Sequence, residues 1–485
     1  MRKVRSVSGA RLRRALCRGL GPRRPSRRAL LLVSAGLWLL GFAVRSLYAV
    51  DLAPAMYSHE QPGTRMASRY DDAALAHLAG DGILYPRVWP DRSDTALVSR
   101  PPGYPLFIAL VYRTIGRSGF AVQLVQNALG SLLPVFLFLL ATGLFGLHVG
   151  GLAGAMAACS APLARYCSVL TPDSLGALLA AAVMTLLWRD RWRPGWTTLA
   201  AGVLLGAATW LRPNFLLMAV FVSAGLLAAS PRRRRAAPWV LGAAVIAILV
   251  VMPVTIRNWR IYGAFVPVSI NMGILVWEGI ADAGGEHWGA RGRDAAVAIE
   301  EARHFSDPRY AAWWASPDGI LRDRERMRRS LQAIRAEPLW FAAAAVRRAG
   351  DMLDYRDGGV PFVRLGAEEA PPPAPHITPA EAAMLAPGRL GAWARRPVAF
   401  AQGALAVVTL PLALAGLGVC ALLSPRRLIF LLLVPLYHLV TQAPLHYEPR
   451  YVLPMHAFLL VVAAAAVAAL APAVLSVARS GRSKT

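Results

Sequence analysis

Long apolar runs alternate with short basic blocks along most of the chain. A membrane-spanning helix needs about 20 mostly apolar residues. Ten stretches approach that length: 29–48, 120–144, 148–169, 172–188, 197–213, 214–230, 238–256, 399–423, 428–444 and 452–477. The pattern predicts an all-α, polytopic integral membrane protein with about 10 transmembrane helices. The first 28 residues hold eleven Lys/Arg and no acid. The apolar run that follows exceeds a signal-peptide core and lacks a clean small-x-small cleavage site, so a retained first span is expected.

Basic blocks set the orientation, because short cytoplasmic loops retain Lys and Arg. With the N-terminus inside, the alternate turnarounds fall at Arg189 to Arg193, at Arg232 to Arg235, at Arg426-Arg427, and at the tail with Arg479, Arg482 and Lys484. On this layout all of the 27 Asp+Glu except Asp190 lie outside or at the outer ends of spans. Acids contribute little to orienting helices, so their distribution is a separate argument for the same layout. Two outer segments are long: a first external loop at 49–118 and a larger one at 257–396. The chain thus divides into a basic cytoplasmic tail (1–28), an N-terminal transmembrane module (29–256), the external segment (257–396), and a C-terminal transmembrane module with its tail (397–485).

Composition narrows the function classes. The chain is 56% hydrophobic and 16% charged, against about a quarter charged in soluble proteins; a water-soluble enzyme and a disordered chain are both excluded. The formal net charge of +26, from 53 Lys+Arg against 27 Asp+Glu, resembles that of a nucleic-acid binder. Its confinement to inter-span blocks argues for a membrane instead, and no nucleic-acid partner is expected. Cys17, Cys159, Cys167 and Cys420 form no Cys-x-x-Cys pair and have no histidine at ligand spacing, so neither disulfide nor structural zinc is expected. No P-loop, dinucleotide fingerprint, metal motif or repeat is visible. No cofactor is expected; a divalent cation stays open, with no residue pattern that calls for one.

The first external loop carries the most informative residues. Arg69-Tyr70-Asp71-Asp72 opens a short helical segment, and Ser99-Arg100-Pro101-Pro102-Gly103-Tyr104-Pro105 follows. Paired prolines restrict the backbone and hold Arg100 in a defined place. The stretch 106–115 is too short to span and reads as an interfacial helix. In the second segment a helix is expected from Pro317 to Arg348, lying on the membrane surface, with Trp313-Trp314 as an interfacial aromatic anchor.

These motifs resemble the GT-C-fold glycosyltransferases, the clan of protein O-mannosyltransferases and lipid A aminoarabinose transferases. The resemblance rests on the acid before a short helix and on Arg100 to Phe107. It continues through Leu170-Thr171-Pro172-Asp173, Leu211-Arg212-Pro213, Ile256-Arg257-Asn258-Trp259 and Glu448-Pro449-Arg450-Tyr451. Leu75 departs from it, where many members carry Tyr, and segment 257–396 aligns to no motif.

The resemblance implies transfer of a sugar from a polyprenyl-phosphate donor to a glycan, lipid or protein acceptor at the outer face of the plasma membrane, with membrane lipids as surroundings. It implies a carboxylate as general base, with Asp71, Asp72 and Asp173 as catalytic candidates and Asp71 aligning best. Arg100, Arg212, Arg257 and Arg450 are the candidates for the donor phosphate, since a guanidinium presents a fixed fork to phosphate oxygens. A helix cap for the loop acids, headgroup contacts for Arg212 and Arg257, and a Glu448–Arg450 ion pair are the competing structural roles. The alternatives at the level of function are a lipid-linked oligosaccharide polymerase or ligase and, from another class, a secondary transporter.

Overall fold

A computed structural model describes residues 25–52, 62–82, 86, 90–189, 195–230, 232–355 and 389–482. Regular structure among the described residues is helical, with no strand. The chain opens with α1 (Arg27–Leu52), α2 (Pro62–Leu78), α3 (Gly103–Ile115) and α4 (Gly119–Gly130). It continues through α5 (Leu132–Phe145), α6 (Leu147–Cys159), α7 (Ala161–Ser168), α8 (Asp173–Arg189), α9 (Trp196–Leu211), α10 (Met218–Ala229) and α11 (Arg233–Tyr262). A smaller group follows: α12 (Met272–Asp282), α13 (Asp294–His304), α14 (Gly319–Ala336) and α15 (Pro338–Leu353). Three helices close the chain: α16 (Arg389–Leu423), α17 (Pro425–Gln442) and α18 (Leu453–Arg482).

Each of the ten apolar stretches falls on a helix or on consecutive helices. Among the described residues, five helical stretches are long and apolar enough to cross a membrane: Arg27–Val50, Gly119–Phe145, Arg233–Tyr262, Arg395–Leu423 and Pro449–Ala471. The pair α6 and α7, bent by 49°, makes a sixth if taken as one broken span. The remaining stretches lie on shorter or less apolar helices, such as α8 with 17 residues and α9 with 16. At 1.5 Å per residue these reach about 25 Å, less than a hydrocarbon layer of about 30 Å. By this measure the described residues hold five or six of the ten expected spans. The architecture is that of an all-α, multi-pass membrane protein.

The main core joins α5, α6, α8, α9, α10, α17 and α18, with Leu137, Leu140, Met184, Phe430 and Phe458 fully buried or nearly so. A second cluster packs α1 and α2 on α3 through Val44, Tyr48, Tyr70, Tyr104 and Ile108. A third belongs to the smaller helical group, around Trp277, Ile280, Trp314 and Ala333.

Two expectations for the smaller group are corrected. The helix foreseen over Pro317 to Arg348 is broken at Glu337-Pro338, where Glu337 leaves helical geometry (φ −131°, ψ 63°), as a residue before proline tends to. Its first half is held from within the group by two arginines. On α14, Arg322 and Arg326 are buried and converge on Glu301 of α13 at 2.8 and 2.5 Å. Arg326 also donates to the carbonyl of Trp314 at 2.8 Å. Two cations on one carboxylate, with backbone carbonyls taking further donors, make α14 an interior strut. Trp314 is buried in this core, so the interfacial-anchor reading fails for it.

Candidate functional site

Arg100 sits where three elements meet. Gly103 starts α3 hard against the end of α9: a Cβ there would lie 2.7 Å from the carbonyl oxygen of Trp210. That close approach sets the buried Pro101-Pro102 beside Leu211-Arg212, the C-terminal end of α9. On the other side, Ile270 donates its backbone N–H to Val98 at 3.0 Å, pinning the Arg100 loop to the segment before α12. The Arg100 guanidinium lies 5.7 Å from the Trp314 ring and 6.0 Å from that of Tyr70. Its Nε is buried without a hydrogen-bond partner.

Two adjoining cavities share Arg100 and Pro101. The larger, about 730 Å³, is lined by Arg69, Asp72, Asp94, Pro102 and Trp313 among others. The smaller, about 100 Å³, is lined by Arg212, Arg450 and Tyr451, together with Glu278, Asp294 and Glu448. Three of the four expected phosphate-binding arginines therefore converge. Arg212 is ion-paired with Asp173, the first residue of α8. Arg450 pairs with Glu448 at 2.6 Å, as the competing structural reading holds. Both guanidinium groups lie near one ring, that of Tyr451, at 4.5 and 5.3 Å.

Arg257 is elsewhere. It is buried within α11 and donates from Nε and Nη2 to Asn258 Oδ1 at 2.9 and 2.6 Å. Asn258 in turn donates to the carbonyls of Val266 and Val268, closing the turn after the helix. Arg257 lines neither cavity.

The adjacent acids of α2 separate. They lie in the helix's second half, so neither is an N-cap. Asp71 is buried; Tyr112 donates its hydroxyl to one carboxylate oxygen at 2.5 Å and Arg117 donates to the other at 3.1 Å. Asp72 is exposed and lines the larger cavity, near Arg69 and Trp313. Arg69 stacks on Trp313 with its guanidinium carbon 3.7 Å from the ring centre.

Sequence reading missed the carboxylates that the smaller helical group brings in. Gly279 allows the close approach: a Cβ there would meet the backbone N of His446 at 2.9 Å. The segment 445–448 thus lies against α12, and Glu278 faces the small cavity, 5% exposed. Burial raises the Glu278 carboxyl to about 8, Asp294 adds to the rise, and His446 opposes it. Burial also pushes Glu448 upward, but the charge and hydrogen bond of Arg450 outweigh it and hold Glu448 below the ordinary range. The one sequence signal for Glu278 is an acid inside the apolar word Ile-Leu-Val-Trp-Glu-Gly-Ile. Among the described residues no group of three His, Cys, Asp or Glu has the geometry to hold a metal ion.

Residues 99–257 match the family model of dolichyl-phosphate-mannose-protein mannosyltransferases. The GT-C resemblance read from the motifs holds over this stretch, which contains Arg100, Asp173 and Arg212. No curated protein matches the chain by sequence. Among solved structures, the archaeal oligosaccharyltransferase AglB from Archaeoglobus fulgidus, in complex with an inhibitory peptide and a dolichol-phosphate, is similar at 13% identity and a TM-score of 0.48. The alignment covers 94% of this chain and 52% of AglB, so the chain spans about half that protein's length. ArnT from Cupriavidus metallidurans bound to undecaprenyl phosphate is similar at 14% identity and a TM-score of 0.37, covering 92% of this chain and 78% of that one. Its apo form gives 15% identity and a TM-score of 0.37 over 90% and 78%.

Proposed function

We propose that the chain is a membrane glycosyltransferase that takes a sugar from a polyprenyl-phosphate donor and gives it to an acceptor at the outer face of the membrane. One observation carries this reading: Arg100, with a buried and unpartnered Nε, lies between two cavities and beside Arg212 and Arg450. The family whose model matches the Arg100 segment is named for a dolichyl-phosphate donor, which supports a phosphate at that arginine.

The donor phosphate docks at the small cavity with its chain toward lipid, and the sugar projects into the large one. An acceptor hydroxyl oxygen attacks the anomeric carbon while the bond from that carbon to the phosphate oxygen breaks. The bonding pair passes to the phosphate, where Arg100, Arg212 and Arg450 stabilise the growing charge. The hydroxyl proton passes to a carboxylate within hydrogen-bond reach. Asp72 is the loop acid that faces the cavity, whereas Asp71 is held by Tyr112 and Arg117; the base is accordingly placed on Asp72, with Asp71 fixing the pose of α2. Asp173 holds Arg212 in place.

The test is sugar transfer from a purified lipid-phosphate donor, with wild type and Arg100→Ala compared over a range of donor concentrations. Arg100→Ala should lose both donor affinity and turnover, because the contact strengthens as the bond breaks. Unchanged donor dependence would remove the phosphate from this site.

A further inference from the structure

We propose that Glu278 keeps its proton in the resting site and donates it as a hydrogen bond to an oxygen of the bound phosphate, making phosphate binding proton-linked. The inference rests on the donor reading above and deepens it. It begins from placement. Glu278 lies on α12, lines the same small cavity as Arg100, Arg212 and Arg450, and is 5% exposed. No hydrogen bond reaches its carboxyl group among the described residues, whereas the neighbouring Glu448 takes the guanidinium of Arg450.

The charges around it explain why it is the acid that stays neutral. Asp294 of α13 and Glu448 line the same cavity, and Asp282 lies one turn on along α12. His446 faces it too, but its ring is bonded to Asp282 at 2.5 Å. Tyr70 and Tyr451 complete the titratable lining. From α14, Asp323 accepts the N–H of Ile274 at 3.1 Å, and Arg329 lies 4.4 Å from the Trp277 ring. From α15, Arg348 donates to the carbonyl of Gly279. Arg329, Arg348, Arg450 and Arg212 are thus directed at other groups, and Arg100 makes no hydrogen bond or ion pair to Glu278, while burial and nearby carboxylates oppose charge on it. Its carboxyl is raised to about 8. A phosphate arriving in the cavity adds negative charge and drives the carboxyl further toward its neutral form. A neutral carboxyl offers one O–H donor, which a phosphate oxygen accepts.

The experiment measures binding of a polyprenyl phosphate to the full-length protein in detergent between pH 7.5 and 9.5. A phosphate monoester, with its second pKa at about 6, is already fully ionised in that range. In wild type the affinity should fall above pH ~8, approaching about tenfold per pH unit, as one linked proton requires. Glu278→Gln keeps a donor that does not titrate, so its affinity should stay flat over the same range. Asp294→Asn removes a charge that helps hold the proton and should move the wild-type break to lower pH. A break that persists in Glu278→Gln, or that stays in place in Asp294→Asn, overturns the proposal and leaves the donor reading intact. Binding to neither wild type nor any variant at any pH overturns the donor reading, and this inference with it.

Discussion

Asp173 and Arg212, 39 residues apart in sequence, form an ion pair in which the aspartate is almost fully buried and the arginine edges into a cavity. The pair joins the start of α8 to the end of α9. It leaves one face of the guanidinium over Tyr451 and toward Arg100's cavity. An arginine held by a buried carboxylate is pre-oriented, so a bound phosphate does not have to order it.

That pairing makes a stability prediction. Arg212→Ala strands a buried carboxylate whose second oxygen already lacks a partner, and removing one member of a buried pair costs about 3 kcal/mol. Asp173→Asn should cost less, because the amide keeps the shape and leaves no buried anion. Thermal unfolding in detergent should show the larger loss for Arg212→Ala, with the double variant less destabilised than the two single losses added. Strict additivity would mean the pair is not coupled.

The loop acids should separate by kinetics. Asp72→Asn should lower turnover strongly with little change in donor KM, since proton acceptance belongs to the transition state. Asp71→Asn should act through stability, because it weakens contacts to Tyr112 and Arg117 that hold α2 on α3. Turnover lost in Asp71→Asn with unfolding unchanged, and retained in Asp72→Asn, would return the base to Asp71.

Arg100→Lys separates charge from geometry. An ammonium supplies the charge but not the two-pronged donor, so transfer should be rescued only in part relative to Arg100→Ala. Full rescue would reduce the role of Arg100 to that of a point charge.

Glu278 also sets a pH dependence of stability. Its ordinary value is 4.5 and its folded value about 8, so between the two the folded chain holds a proton that the unfolded chain has released. Folding stability from this group therefore falls as pH rises through that window, and is level above it. The melting temperature of Glu278→Gln minus that of wild type should grow with pH from about 4.5 to about 8 and then level off. A difference independent of pH would show that Glu278 ionises normally.

Sidedness is open to a direct test. Reporters fused after Arg193, Arg235, Arg427 and Thr485 should read as cytoplasmic, and those near Asp94, Asp307 and Glu448 as outer, because basic blocks stay inside. A cytoplasmic signal at Asp307 would place the smaller helical group, and with it Glu278, on the wrong face for an outer acceptor.

The apolar runs, the Arg100-Pro101-Pro102-Gly103 motif, Asp173 at the head of its helix and the Glu448–Arg450 pair were all readable from the chain alone. Each depends on residues close in sequence: hydrophobicity integrated over a span, proline geometry, a helix start, a charge two residues from its partner. Which way a side chain faces is a different matter. Asp71 and Asp72 have nearly the same local signal, and only the docking of α2 on α3 turns one toward Tyr112 and Arg117 and the other toward the cavity. Arg257 and Arg212 look alike as arginines at span ends, yet Arg257 is absorbed by Asn258 while Arg212 reaches the site. Glu278 looks like a lone acid in an apolar helix. Only the approach of Gly279 to His446 brings it beside arginines from distant helices. Span and motif are set by short-range chemistry, whereas facing and convergence are set by packing between residues far apart in the chain, which no local pattern records.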